Sequence, residues 1–260
     1  MKLLALEASA HTVSIAVQHG DTHYTYEMPA NSKTSAWLIP SLLRLLNEAQ
    51  IKILDLDAIL FGQGPGAFTG LRTVCSVVQG LAIGSNNNLQ IYGVDTLQEL
   101  AQAALKESNQ DGGPLSSKEY PPKKISFRAL CILDARMDEW YVGAYEFVNA
   151  QWIITQSPLL CKPEQLELPI GWSVSSFCLC SNVELSILTQ RLSSDFNKLH
   201  FEFVHAAPHA SLCLDLAPWL MSNKASTTDL SNPLRATPIY VRDRIALTTS
   251  EREAAKHTHK

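Results

Sequence analysis

The chain has 260 residues, and its 21 Lys and Arg against 25 Asp and Glu give a formal net charge of −4. Apolar residues make up 46% of it and charged residues 18%, which supplies a sizeable core and excludes a disordered chain or a small disulfide scaffold. Because phosphate contact needs clustered Lys and Arg, this mildly acidic chain is a poor free-standing binder of nucleic acid. The length predicts two small domains or one large one.

The first 17 residues, MKLLALEASAHTVSIAV, place Lys2 before an apolar stretch, as a signal peptide would. Glu7 and His11 interrupt that stretch, and no small-residue cleavage site follows it. No apolar run approaches the 18 residues that a membrane span needs. The six cysteines form no CxxC pair, which favours reduced thiols over a zinc site. We therefore expect a cytoplasmic protein that has no membrane contact.

Hydrophobic periodicity predicts eight elements before residue 107. In chain order they are strands over 2–7, 12–18 and 22–28, a helix over 35–49, a strand over 56–61, a helix over 68–84, a strand over 91–94 and a helix over 96–106. Pro40 lies inside the first helix and should kink it or mark where it begins.

Residues 107–124 contain Gly-Gly-Pro and Pro-Pro and read as a linker or insertion loop. Five elements are predicted after it: strands over 128–134 and 140–148, joined by the turn 135–139, a helix over 183–193, a strand over 199–204 and a helix over 209–222. The predicted organisation is therefore an N-terminal subdomain over 1–106, the linker over 107–124, a C-terminal subdomain over 125–245 and a flexible tail over 246–260.

Six of the 12 glycines fall between residues 62 and 84, at a turn from strand to helix. A Walker A loop is excluded because no lysine lies between Gly62 and Cys75. The dinucleotide fingerprint fits only formally, since Pro65 removes an amide donor and no acid follows about 20 residues later in the right context. Two explanations stay open: amides that meet an anion at the helix start, or a tight structural turn.

The helices over 35–49 and 68–84 are apolar nearly all round, so each must be buried on two sides. They are either plain core helices or helices whose outer faces meet another subunit. We favour the second explanation. The residues predicted to form that interface are Trp37, Leu38, Leu42, Leu71, Val74, Cys75 and Val78.

Four stretches, in this order and spacing, resemble the TsaB (YeaZ-type) family of the bacterial tRNA threonylcarbamoyladenosine machinery. They are LLALEASAHTVSIAV at 3–17, GQGPGAFTGLRTVCSVVQGLA at 62–82, LDARMDEWYVGAY at 133–145 and ATPIYVRD at 236–243. The resemblance covers nearly the whole chain. It implies the α/β fold of actin, Hsp70 and sugar kinases (ASKHA), with two subdomains that each carry a mixed sheet flanked by helices.

The resemblance also implies a function. Such a protein is a non-catalytic scaffold that binds the enzyme TsaD, with the ATPase TsaE at their junction, and forms homodimers through the same helices. TsaD transfers threonylcarbamoyl to the adenosine beside the anticodon of tRNAs that read codons beginning with A. Contact with tRNA would then run mainly through the complex.

The sequence departs from the family at its first turn, where Glu7-Ala8-Ser9 replaces Asp-Thr-Ser or Asp-Thr-Ala. In this fold that turn lies near a nucleotide phosphate or its metal. The residues expected to face a phosphate are Glu7, Ser9, Gly64, Gly66 and Thr69. Because the turn loses a hydroxyl, we expect at most weak nucleotide binding and no required cofactor. The alternative is an autonomous nucleotide-dependent ATPase or kinase of the same fold.

We expect no catalytic residue and no metal site. TsaD carries an HxxxH metal pair on the helix after the next strand, and the matching positions here are Thr96 and Leu100. His200, His205 and His209 are close in sequence, but Pro208 breaks the helix that would align the last two. The HExxH and GxSxG motifs of peptidases and serine hydrolases are absent from the sequence.

One acidic cluster leaves three interpretations open. Asp134, Arg136, Asp138 and Glu139 share the predicted turn 135–139 and its edge. They could form a paired-acid catalytic site, a solvated turn with a local Arg–Asp bridge, or a wall of the cleft between subdomains. The local bridge is the favoured prediction.

Overall fold

The computed structural model describes residues 1–31, 34–85, 89–110, 127–172, 177–222 and 233–242. Within these residues the chain forms two five-stranded sheets and five α-helices. The first sheet contains β1 (Lys2–Glu7), β2 (Thr12–His19), β3 (Thr22–Pro29), β4 (Ala58–Gly64) and β5 (Gln90–Asp95). The second contains β6 (Phe127–Asp134), β7 (Trp140–Val148), β8 (Gln151–Cys161), β9 (Phe177–Ser181) and β10 (Phe201–His205).

The two sheets repeat one topology. The first has the order β3-β2-β1-β4-β5, and the second, read from its other edge, has the order β8-β7-β6-β9-β10. In each sheet the first three strands are antiparallel neighbours and the last two run parallel to the first. Two mixed sheets flanked by helices are the architecture that the resemblance implied, so the predicted fold class is confirmed.

The helices are α1 (Thr34–Glu48), α2 (Phe68–Gly84), α3 (Thr96–Gln110), α4 (Leu185–Arg191) and α5 (Ala210–Ser222). Helices α1 and α2 pack side by side over one face of the first sheet. The inner stripe of α1 follows helical spacing, with Leu38, Leu42 and Leu45 buried. Since α1 begins at Thr34, Pro40 lies within the helix and does not mark its start.

Helices α3 and α5 lie between the two sheets in one shared core. Helix α3 follows the last strand of the first sheet, but it packs on β6, β7 and β9 of the second. Helix α5 follows β10 and packs on β1, β2 and β4 of the first sheet. Each half of the chain therefore covers the sheet of the other half, and the core crosses the boundary predicted at 107–124.

Two further observations concern the predicted boundaries. Helix α3 extends to Gln110, so the predicted linker begins with helical residues, while 111–124 and the tail 246–260 lie outside the described residues. Residues 233–242, assigned to the C-terminal subdomain, return to the first sheet, where the Ile239 N–H donates to the Gln63 carbonyl at 2.8 Å. No helix among the described residues combines the length and apolar character needed to cross a bilayer.

Candidate functional site

A cleft of about 630 Å³ opens between the two halves of the molecule. The turn after β1 and the start of α2 line one side, and the turn between β6 and β7 lines the other, together with residues 239–242. The polar side chains in its lining include Thr69, Asp134, Arg136 and Arg242. Both signs of charge therefore face the same space.

Glycines in the strand-to-helix turn let two backbone segments meet closely. A Cβ added at Gly66 would lie 2.4 Å from the Ser9 carbonyl oxygen, and one at Gly70 would lie 1.9 Å from that of Ala8. The Ala67 N–H donates to the Ser9 carbonyl at 2.6 Å, so this amide is not available to an anion. These contacts favour the structural explanation of the turn, since any side chain at Gly66 or Gly70 would strike backbone.

The structure separates the five residues expected to face a phosphate. Ser9, Gly66 and Thr69 belong to the lining of the cleft. Gly64 does not line the cleft. Its φ is 109°, in the region that favours glycine, and a Cβ added there would lie closest to atoms of Ile239 and Leu71. Glu7 is also outside the cleft, because its side chain is turned into the core and is only 1% exposed. Gly64 and Glu7 therefore do not belong to the lining of this cleft.

The acidic turn is held by arginines from distant segments. The Arg242 guanidinium lies 2.8 Å from Glu139 Oε2 and donates to the Ala135 carbonyl at 3.0 Å. Asp138 pairs with Arg191 at 3.3 Å. The predicted local Arg–Asp bridge is wrong, since Arg136 contributes its backbone N–H to Asp134, at 2.9 Å. Asp134 and Arg136 line the cleft, so the third interpretation is the one that the geometry supports.

This turn also has an uncommon backbone. Arg136, Met137 and Asp138 have φ values of 59°, 54° and 61°, although none is glycine. Left-handed conformations cost about 1–3 kcal/mol for such residues and persist where the surroundings hold them in place. Here the arginine contacts supply that support at the edge of the cleft.

Residues 233–242 form a strap across the cleft side of the molecule. At its start, Gln79 and Gln63 donate side-chain N–H groups to the carbonyls of Ala236 and Thr237 at 3.0 and 2.9 Å. In the middle, Arg72 donates from Nε to Tyr240 Oη at 2.8 Å. At its end, Arg242 contacts the β6–β7 turn. The strap therefore joins the first half of the chain to the second.

Six of the seven residues predicted for a partner interface are not at the surface. They are 3% exposed or less and contribute to the interior beneath α1 and α2: Leu38, Leu42, Leu71, Val74, Cys75 and Val78. Burial also raises the pKa of the Cys75 thiol to about 12, which leaves it protonated and unreactive. When both sides of a helix are apolar, sequence alone does not show which side meets the sheet. Only Trp37, which is 54% exposed, remains accessible to a partner.

A different set of apolar side chains is exposed on these helices. Trp37, Ile39 and Leu43 of α1 and Ile83 of α2 are each about half exposed. We call these four residues the outer helix face. Gly80 and Gly84 are exposed on α2 near Ile83 and add no bulk there. Exposed apolar surface on adjacent helices is typical of a protein interface.

Comparison with known proteins identifies the family. Residues 28–217 match the family model described as TsaD, tRNA N6-adenosine threonylcarbamoyltransferase. The protein of Escherichia coli K12 named tRNA threonylcarbamoyladenosine biosynthesis protein TsaB is 28% identical over 166 residues, which cover 63% of this chain and 64% of that protein. The solved structure of YeaZ from Pseudomonas aeruginosa is 27% identical, with a TM-score of 0.73 over 92% of this chain and 99% of that one.

The chain belongs to the TsaD family, in its TsaB (YeaZ-type) branch. The TsaB protein of Bacillus subtilis is 28% identical over 152 residues, which cover 57% of each chain. The alignments to the E. coli and B. subtilis TsaB proteins thus span less than two thirds of the length of those relatives. The identification agrees with the four motifs on which the resemblance was based.

Two histidine predictions bear on metal binding in this TsaB-branch chain. Thr96 and Leu100, at the positions of the TsaD histidine pair, are both fully buried in α3. His200, His205 and His209 do not form a metal-ligating group among the described residues. His209 instead lies near Glu27, at 3.6 Å, and partial burial lowers its pKa.

Proposed function

We propose that this chain is a non-catalytic scaffold subunit in tRNA threonylcarbamoyladenosine synthesis, and that it binds a TsaD protein through its outer helix face. The relatives named TsaB support the pathway. The observation that carries the binding role is the exposure of Trp37, Ile39, Leu43 and Ile83 on two adjacent helices. Removing such side chains from water supplies about 25 cal/mol per Å² of apolar area buried.

The finer parts of the proposal follow from the same face. A homodimer through the outer helix face would compete with TsaD, because one surface serves both. TsaE would bind at the TsaD junction, as the family resemblance implies. The net charge of −4 supports a tRNA that is held mainly by the partner, since phosphate binding needs clustered positive charge.

The test is a pair of isoleucine-to-arginine substitutions. Ile83 on α2 and Ile153 on β8 have similar exposure, 55% and 49%, but only Ile83 belongs to the outer helix face. We expect Ile83→Arg to weaken capture of TsaD about tenfold or more, because an unpaired charge in an apolar interface is costly. Ile153→Arg should leave capture unchanged. Sedimentation of the chain alone should show the same contrast for the homodimer.

Modification of tRNA provides the functional measurement. In a strain that lacks this protein, the threonylcarbamoyladenosine content of tRNA should fall, and the wild-type chain and Ile153→Arg should restore it. Ile83→Arg should restore it poorly. Normal modification in the deletion strain, or equal TsaD capture by both variants, would contradict the proposal.

A second candidate function is nucleotide turnover by the chain alone, and the cleft is the observation that favours it. Thr69 and Arg136 line a space that could receive a phosphate. Because Glu7 points into the core, the turn carries no carboxylate of its own toward that space. Stoichiometric ATP hydrolysis by the purified chain that is lost in Arg136→Ala would favour this function over the scaffold.

A further inference from the structure

Three buried side chains that no sequence motif connects meet between the sheets. Glu7 ends β1, Glu99 lies in the first turn of α3, and Cys213 lies in the first turn of α5. Their exposed fractions are 1%, 0% and 0%. One ligand atom from each, a carboxylate oxygen or the sulfur, lies within 4.8 Å of the other two.

Each carboxylate has one oxygen that accepts a backbone N–H. Glu7 Oε1 accepts the Ser9 N–H at 2.5 Å, and Glu99 Oε2 accepts the His209 N–H at 3.1 Å. The carboxyl groups also face each other, and the Cys213 thiol faces Glu99, while no N–H group of the described residues reaches Glu7 Oε2 or Glu99 Oε1. Because buried polar atoms are nearly always partnered, the two facing oxygens need either a shared proton or a bound cation.

A further buried group is directed at the same place. The Ser9 hydroxyl, in a residue only 3% exposed, faces the Glu7 carboxyl group and meets no other polar partner among the described residues. Gly62 supplies the space, because a Cβ at that position would lie 1.4 Å from Glu7 Oε2. A glycine is therefore required where the carboxylate packs against β4.

The donor set indicates which ligand would satisfy these atoms. Two carboxylates in a dry interior repel each other unless a cation or a proton lies between them. Carboxylate oxygens alone would suit Mg²⁺ or Ca²⁺, but a cysteine sulfur selects softer ions such as Zn²⁺. The backbone N–H groups of Ser9 and His209 donate to the other oxygen of each carboxylate. They act as outer-shell partners do in metal sites, since they fix the orientation of each ligand.

We propose that Glu7, Glu99 and Cys213 form a buried structural site for one divalent transition-metal ion of the Zn²⁺ class. The ion would fix β1, α3 and α5 to one another where the two halves of the chain cross. Binding releases the thiol proton of Cys213 and any carboxyl proton to solvent. The site uses neither Thr96 nor Leu100, it contradicts our expectation of no metal, and it does not depend on the proposed function.

The test must allow for a buried site that fills during folding. The full chain is unfolded in guanidinium with a chelator and refolded with Co²⁺, which substitutes for Zn²⁺ and reports thiolate ligation by its absorption. We expect one equivalent of bound Co²⁺ and a thiolate-to-cobalt charge-transfer band. Cys213→Ala should lose the band and Glu99→Gln should lose the bound ion.

Cys75→Ala is the matched control, because Cys75 is equally buried but lies under α2 in the core of the first sheet. It should keep both the ion and the band. If the refolded wild type binds neither Co²⁺ nor Zn²⁺, the proposal is overturned and the carboxyls share a proton instead. It is overturned equally if Cys213→Ala and Cys75→Ala retain the same band. The wild-type measurement decides the matter even if a variant fails to fold.

Discussion

Asp95 links the two subdomains through a single side chain. It ends β5, and its Oδ1 accepts the N–H of Leu97 at 2.9 Å, in the first turn of α3. Its Oδ2 accepts the hydroxyl of Tyr145, on β7 of the other sheet, at 2.5 Å. Burial raises the pKa of Asp95 from 3.8 to about 6, although these hydrogen bonds act in the opposite direction.

The raised pKa of Asp95 predicts how the stability of the fold changes with pH. Because the folded protein holds the Asp95 proton more tightly than the unfolded chain does, the proton stabilises the fold below about pH 4. That stabilisation is lost as the pH rises toward 6. Asp95→Asn should remove this part of the pH dependence. For a pKa raised by about two units, the free energy of unfolding that depends on this proton is about 3 kcal/mol at most. Thermal unfolding of both proteins at a series of pH values measures it.

Asp57→Asn, at an exposed carboxyl group on the surface, is the control for loss of one charge. Its melting temperature should follow the wild-type curve. If Asp95→Asn shows the same slope as wild type between pH 4 and 6, then burial does not raise the Asp95 pKa as described.

At the scale of elements, α2 shows how closely a helix can approach a turn. Gly70, in its first turn, packs on the Ala8 carbonyl, whereas Gly80, near its end, has no neighbouring atom within 4 Å of an added Cβ. The same residue type therefore serves two purposes in one helix. Gly70 permits contact, and Gly80 leaves the outer helix face flat.

A pair of alanine substitutions should separate these roles. Gly70→Ala should destabilise the fold by about 1–3 kcal/mol or more, because the methyl group would overlap backbone. Gly80→Ala should stabilise it by about 0.5–1 kcal/mol, since alanine favours a helix interior and meets nothing there. Urea unfolding of the two variants gives both values. Equal effects would show that the contact at Ala8 does not decide the outcome.

The strongly periodic elements were predictable and the weakly patterned ones were not. Strands β1 to β3 and helices α1, α2 and α5 fall within two residues of their predicted bounds. Strand β8 was missed because it lies at a sheet edge, where burial is partial, and it contains Pro158. Strand β9 was missed because all five of its residues are buried, so apolar and polar residues do not alternate along it.

The candidate sites depend more on tertiary packing than on pattern. Sequence could not predict which stripe of α1 and α2 faces the sheet, because both stripes are apolar. It also could not bring Glu7, Glu99 and Cys213 together, since they lie on three elements far apart in the chain. The family motifs did predict the glycine turn, because it combines several residues at fixed spacing. They did not predict that the motif over 236–243 returns to the first sheet.

At the scale of the whole molecule, the strap 233–242 connects the halves at the cleft. Its last described residue, Arg242, makes its ion pair and carbonyl contacts with the β6–β7 turn, whose left-handed residues need external support. Its earlier residues are held by Gln63, Gln79 and Arg72 of the first half. Cleft geometry therefore depends on a segment that is distant in sequence from both walls it joins.

Arg242→Ala should loosen this connection. We expect the free energy of unfolding to fall by about 1–3 kcal/mol, because the Ala135 carbonyl and the Glu139 carboxylate lose the guanidinium donor. Backbone amides of residues 135–139 should then exchange hydrogen faster. Arg44→Ala, which removes an exposed pair with Glu48, should change stability by less than about 0.5 kcal/mol. If exchange over 135–139 is the same in both variants, the turn does not depend on Arg242.

The exchange of α3 and α5 between the sheets has a consequence for synthesis on the ribosome. When the first half of the chain has emerged, the face of its sheet formed by β1, β2 and β4 has no cover, because the helix that covers it is residues 210–222. Domains usually fold in the order in which they are made. This chain cannot follow that order, so the apolar face of its first sheet stays uncovered until residues 210–222 have been translated.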